Sequence, residues 1–197
     1  MAGLLIAFEG LDQSGKETQA QELRERLRGQ GYKVRVLSFP DYGTSIGEEI
    51  ARALQGEREY GPDVMQLLFV ANRHERKPAM EHWIEGGLVL ICDRYRASSI
   101  AYGEAHGLDA DWLTEIQKFL PTPDLTILLD ISPATALARK AVGRDRYERD
   151  LELLERVRKS YHRQASQVGW HIVNGEQPKA AVTDTVARIV DERLAPR

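Results

Sequence analysis

Apolar and polar positions along this chain switch between two periods, and the switching predicts strands and helices in turn. Leu4–Phe8 is an apolar run of strand length. Thr18–Arg28 carries Ala20, Leu23 and Leu27 at helical spacing, and Gly29 and Gly31 stop it. A second strand is expected over Lys33–Phe39, ending at Pro40, and a helix over Ser45–Leu54. Gly61-Pro62-Asp63 marks another helix start, with Pro62 suited to the first turn. That helix is expected to reach about Lys77, where Pro78 interrupts or ends it. Leu88–Cys92 is apolar on both faces, the pattern of a parallel strand covered on both sides. Short helices follow over Ser98–Glu104 and Ala110–Phe119. A fourth strand spans Leu125–Ile131, and Ser132-Pro133 opens a further helix. Asp150–Val168 reads as a long charged helix, Trp170–Val173 as a fifth strand and Lys179–Leu194 as a closing helix. Alternating βα units predict one α/β domain over residues 1–197, a five-stranded, doubly wound parallel sheet with helices on both faces. Ligands of such sheets bind beyond the C-terminal strand ends.

Composition narrows the chemistry. A net charge of −3 excludes a general polyelectrolyte binder, so any attraction for phosphate must be local. Cys92 is the single cysteine, which excludes an intrachain disulfide and a Cys-based zinc site; it reads as a small buried hydrophobe. No run approaches the ~20 apolar residues that span a bilayer, and the chain enters its first strand without a basic leader or cleavage pattern. A reducing, cytoplasmic setting without membrane contact is expected. His74, His82, His106, His162 and His171 are scattered without metal-ligand spacing.

The first strand leads into Gly10-Leu11-Asp12-Gln13-Ser14-Gly15-Lys16-Glu17-Thr18. Gly10 and Gly15 allow the loop to turn its N–H groups inward around phosphate oxygens, and Lys16 adds a point charge for the outer phosphates. The hydroxyl expected directly after Lys16 is replaced by Glu17, with Thr18 one place later. Glu17 is expected to point outward and favour the helix dipole rather than bind metal. Asp12, inside a phosphate cradle, must face a metal, a sugar hydroxyl or water, unless it simply forms the turn.

Three further segments carry chemistry. Asp93-Arg94-Tyr95 follows the third strand; the acid suits a metal or its waters, and the Arg can fork two phosphate oxygens. A strand-end salt bridge is the plainer reading, and the position beside the cradle favours function. Phe69, Arg73 and Arg76 share one helix face, with Val64, Leu67, Leu68 and Ala71 left to pack elsewhere. Spacing alone favours a core Phe with solvated arginines over a base-stacking site. Residues 139–149 hold five basic residues in eleven around Gly143, which suits a lid closing over phosphates, a solvated face or a nucleic-acid patch. Nucleic acid is the weakest option, because no aromatic series accompanies the charge.

Taken together the chain resembles the thymidylate kinase family of P-loop nucleoside monophosphate kinases along nearly its whole length. The markers are Phe8-Glu9-Gly10-Leu11-Asp12, Phe39-Pro40-Asp41-Tyr42-Gly43-Thr44, Leu68-Phe69-Val70-Ala71-Asn72-Arg73, Asp93-Arg94-Tyr95 and Pro123-Asp124-Leu125. The resemblance implies a P-loop NTPase fold, transfer of phosphate from ATP to dTMP with Mg²⁺, and a homodimer. It implies that Gly10, Asp12, Gln13, Ser14, Gly15, Lys16, Glu17 and Thr18 surround the ATP phosphates, with Arg139 nearby and Asn174 and Gly175 at the adenine. Asp12 would meet the sugar 3′-hydroxyl or the metal shell, and Asp93 would lie near Mg²⁺. Phe69 would stack on thymine and Arg73 bond its carbonyl, which reverses the reading from spacing. Arg94 would bridge the two phosphates, while Phe39, Ser98, Ser99 and Tyr102 line the acceptor, Tyr102 against a 2′-hydroxyl. Tyr42 stands where the family often has an acceptor-phosphate Arg, and Ser99 where some relatives carry a longer base-reading side chain. Gln13 replaces the cradle Arg of some relatives, so a lid over about 139–150 with Arg144 and Arg146 as catalytic cations is expected. Two rivals remain: a deoxynucleoside kinase using Glu9 as base, and a nucleotide-binding protein without catalysis whose metal site Glu17 has spoiled.

Overall fold

The computed structural model describes residues 3–139, 151–167 and 169–195. Its strands are β1 (Leu4–Glu9), β2 (Val34–Ser38), β3 (Val89–Asp93), β4 (Leu125–Asp130) and β5 (Trp170–Asn174). They form one parallel sheet in the order β2-β3-β1-β4-β5. Burial follows that order. β1, β3 and β4 are almost wholly buried, whereas the edge strands β2 and β5 alternate with exposed positions. Apolar runs on both faces are what central parallel strands require.

The helices are α1 (Lys16–Gly29), α2 (Ser45–Leu54), α3 (Pro62–Glu85), α4 (Arg96–Ala105), α5 (Ala110–Glu115), α6 (Pro133–Arg139), α7 (Leu151–Gln164) and α8 (Lys179–Leu194). Successive β1 residues point to opposite faces. Leu4, Ile6 and Phe8 pack with Leu23 and Leu27 of α1 and Val186 and Val190 of α8. Leu5 and Ala7 pack on the other face, with Leu90, Cys92 and Met80 of α3. Cys92 is fully buried, and burial pushes its thiol up, as expected of an inert core residue.

Three expectations need correction. α3 does not stop at Lys77 but runs through Pro78 to Glu85. Pro78 has no N–H to donate to the preceding turn. The turns beyond it are retained because Met80, fully buried, and Trp83 and Ile84 pack onto the sheet. Val64 and Leu67, expected to pack, are 38% and 46% exposed on the first turns of the same helix. α5 is also shorter than expected, ending at Glu115; the Asp109 carboxylate caps its start by accepting from Trp112 N at 2.7 Å.

Phe8→Ala, which empties a fully buried site, is expected to lower stability by about 3–5 kcal/mol in urea unfolding. Phe119→Ala, at a position 68% exposed, is expected to stay within about 0.5 kcal/mol of the parent.

Candidate active site

Strand register assembles the site. Phe8, Asp93 and Ser38 lie in one row across β1, β3 and β2. The next positions along the chain, Glu9, Arg94 and Phe39, emerge together at the C-terminal edge. Arg94 N donates to Phe8 O at 2.9 Å and Phe39 N to Asp93 O at 2.9 Å. Arg94 is held at φ 61°, a left-handed conformation costly for a residue with a Cβ. Glu9 braces this turn by accepting from Tyr95 N at 2.9 Å.

The loop after β1 has the shape its glycines suggest. Gly10 sits at φ 137°, and a Cβ there would come within 2.5 Å of Leu129 O. Gly15, at φ 96°, precedes α1 and accepts from Gln19 N at 2.9 Å. Lys16 is buried, and its Nζ donates to Leu11 O at 2.8 Å. Burial lowers the Lys16 pKa, while the charges of Asp93 and Glu9 support its protonated form. The Asp12 carboxylate, awkward inside a phosphate cradle, accepts from Arg94 and lies 3.8 Å from Lys16 Nζ. Glu17 is exposed in the first turn of α1, as expected, yet it also lines the adjoining cavity.

That cavity holds about 540 Å³ and has two chemically distinct ends. Lys16, Thr18, Asp93 and Arg94 line one end; Phe39, Leu54, Gln66, Phe69, Arg73 and Ser99 line the other. Arg94 donates to Gly10 O at 3.2 Å and Ser98 Oγ at 3.3 Å, and its guanidinium lies 5.3 Å from the Tyr102 ring centre. Burial opposes its charge, but Tyr102, Tyr161 and Glu9 together raise its pKa, so it stays a cation. Arg73 donates to Ser99 Oγ at 2.7 Å and to Gln117 Oε1 at 3.4 Å, and lies 5.9 Å from the Phe39 ring centre. Burial lowers its pKa, with Glu9 the largest opposing charge. Arg76 leaves this face, because Asp41 Oδ2 captures its Nε at 2.6 Å. Burial raises the Asp41 pKa, but hydrogen bonds from Arg76 and Gly43 bring it below the usual value. Fully buried Asn72 ties the same segment down, accepting from Asp41 N at 2.7 Å and donating to Thr44 Oγ1 at 2.9 Å.

A glycine- and lysine-bearing loop thus adjoins an aromatic–guanidinium pocket, and the sequence that builds both matches known proteins. The thymidylate kinase family profile matches residues 8–186. The chain is 36% identical to the thymidylate kinase of Arabidopsis thaliana over 192 residues, 98% of this chain and 72% of the relative. It is 33% identical to that of Homo sapiens over 193 residues, 96% of this chain and 90% of the relative. The chain belongs to the thymidylate kinase family. A solved thymidylate kinase from Candida albicans superposes with a TM-score of 0.88 at 30% identity, covering 98% of this chain and 92% of that one. The fold is accordingly the P-loop NTPase fold of that family.

Not every residue that the family resemblance names meets in the cavity. Asp12, Gln13, Gly15, Lys16, Glu17 and Thr18 line it, as do Tyr42, Ser98 and Tyr102. Gly10 and Ser14 form the loop without lining the cavity. Arg139, Asn174 and Gly175 stand on the opposite flank, beyond β4 and β5. There Arg139 donates to Gln13 O at 3.2 Å and to Gly175 O at 3.0 Å, and Glu176 N donates to Asn174 Oδ1 at 2.9 Å. Of the lid expected over about 139–150, residues 140–150, with Arg144 and Arg146, lie outside the described residues. Leu54, Gln66 and Tyr161 escaped the sequence reading; Gln66 precedes Phe69 by three and Arg73 by seven, a spacing that could have revealed it.

Among the described residues no group of three or more His, Cys, Asp or Glu side chains could hold a metal alone. Asp93 Oδ1, however, is buried without a hydrogen-bond partner among them, which suits a cation shared with phosphate oxygens. Burial raises the Asp93 pKa, Lys16 opposes the shift, and Glu9 and Glu17 add to it. A carboxyl whose folded pKa exceeds its unfolded value loses stability as pH rises through the folded pKa. Asp93→Asn is therefore expected to melt above the parent at pH 7 without divalent cations, with the difference closing below pH 3.8, as scanning calorimetry would show.

Proposed function

We propose that the protein transfers the terminal phosphoryl group of ATP to dTMP, giving ADP and dTDP. The observation that carries this reading is one cavity with a phosphate cradle at one end and Phe69 with Arg73 at the other. The ATP phosphates lie on the loop amides and Lys16, with the adenine toward Asn174 and Gly175. The acceptor phosphate meets Arg94, its base stacks on Phe69, and Arg73 bonds a base carbonyl. Phe39, Tyr42, Ser98 and Ser99 complete that pocket, and Tyr102 stands against a 2′-hydroxyl.

Phosphoryl transfer depends on positioning and charge neutralisation more than on covalent help from the protein. The acceptor phosphate is itself a nucleophile, so the reaction needs no general base. Lys16 and Arg94, with Arg144 and Arg146 of the lid, stabilise charge that spreads over the equatorial oxygens. Asp12 keeps Arg94 oriented and has the sugar 3′-hydroxyl within its role. Asp93 and Asp12 are the groups suited to Mg²⁺, which when bound neutralises phosphate oxygens and orients the transferring group. A cytoplasmic homodimer belongs to the same reading; the exposed Val64 and Leu67 of α3 suit an apolar contact between copies. No helix of the described residues is long and apolar enough to cross a membrane.

Glu9 is the base a deoxynucleoside kinase would need, and its surroundings count against that rival. Its Oε1 accepts from Tyr95 N, and its Oε2 accepts from Ser98 Oγ at 2.6 Å and Tyr161 OH at 3.3 Å. Both oxygens are committed, and Glu9 does not line the cavity.

ADP release with ATP and Mg²⁺ tests the reading across dTMP, dUMP, dCMP, dGMP, UMP, AMP and thymidine. Selective turnover of dTMP is expected. Turnover of thymidine alone would favour the nucleoside kinase, and ATP binding without turnover would favour a nucleotide-binding protein. Arg94→Ala is expected to lower kcat roughly 10²–10³-fold, about 3 kcal/mol of transition-state stabilisation. A loss under about tenfold would remove Arg94 from the mechanism.

A further inference from the structure

Gln66 is only 1% exposed, and its Oε1 has no hydrogen-bond partner among the described residues. Protein interiors rarely leave a buried carboxamide unmet, so such a group calls for a ligand partner. Gln66 lines the same cavity as Phe69 and Arg73. Its spacing puts the three on one stripe of α3, with Phe69 between the two polar side chains. A ring stacked on Phe69 would thus have Arg73 toward one edge and Gln66 toward the next.

The chemistry of that edge needs two kinds of partner. A pyrimidine imide presents a carbonyl, which requires a donor, and an N–H, which requires an acceptor. Arg73 is a donor without acceptor capacity. Ser99 is short, and its oxygen already accepts from Arg73 at 2.7 Å. Gln66 has the missing acceptor, and a turn about its last torsion exchanges oxygen for nitrogen. We propose that Gln66 is a specificity-determining residue whose carboxamide oxygen accepts the imide N–H of the base that Arg73 holds by a carbonyl. The inference rests on the dTMP reading above.

Steady-state kinetics of Gln66→Met test it. Methionine keeps much of the volume and removes the polar atoms. Two ligands are compared: dTMP, and the deoxynucleoside monophosphate in which difluorotoluene replaces thymine, similar in shape but poor at hydrogen bonding along its edge. For dTMP the variant is expected to raise KM about 5- to 10-fold, with kcat within about twofold and KM for ATP unchanged. For the isostere, as substrate or competitive inhibitor, parent and variant are expected to differ by less than about twofold, because the coupling partner is gone. The variant is expected to melt at or above the parent temperature, since an unmet buried amide has been removed. An unchanged KM for dTMP overturns the inference. Equal losses on both ligands with a lower melting temperature also overturn it, marking a packing role. A parent protein that turns over no dTMP overturns the substrate reading, and the inference falls with it.

Discussion

A single buried carboxylate, Glu9, underlies three cations that face one cavity. Lys16, Arg73 and Arg94 are all largely removed from water, and burial opposes the charge of each. Glu9 favours the charged form of all three. It does so while its own oxygens are fixed by Tyr95 N, Ser98 Oγ and Tyr161 OH. A buried carboxylate is tolerable only with such donors around it. The same hydrogen bonds set the left-handed turn at Arg94 and the start of α4. Electrostatics and backbone geometry at the phosphate end therefore share one anchor.

The strand order then divides the ligand edge into two flanks. β1 carries the phosphate loop at the centre. β3 and β2 lie to one side, with Asp93, Arg94 and Phe39 at their ends, and α3 closes the large cavity over them. β4 and β5 lie to the other side, where Asn174 and Gly175 follow β5. Gly175 belongs there for steric reasons: a Cβ would sit 2.9 Å from Ile131 Cγ2 and 3.3 Å from Ser14 O. Two phosphorylated ligands approaching from opposite flanks would meet at Lys16 and Arg94.

The sequence made legible what local rules govern. An apolar run, two glycines and a lysine specify β1, its loop and the start of α1, because each feature acts on its own neighbours. The parallel sheet followed from strands apolar on both faces. Pro78 misled because the local penalty it imposes is outweighed by Met80, Trp83 and Ile84, whose partners lie on distant strands. Phe69 and Arg73 were legible as one helix face, but spacing alone does not say whether that face meets core, water or cavity. Arg76 belonged to the face by period and left it for Asp41, a partner 35 residues away. The partner of Asp12 is 82 residues away, and nothing in the loop announces it. Tyr161 carries no motif, and only the folded chain brings it to the site; Gln66 shares the spacing of Phe69 and Arg73, but that spacing alone does not show that it is buried against the cavity.

The reach from Glu9 to Tyr161 spans 152 residues, almost from the first strand to the end of the penultimate helix. Arg94 draws on the same phenol at 3.5 Å. During synthesis the phosphate loop emerges early, but the framework beneath its charges closes only when α7 docks. Until then Glu9 and its cations must remain hydrated, and the cradle is a sequence without its electrostatic setting. The setting of the phosphate end is thus completed by a helix that lies late in the chain.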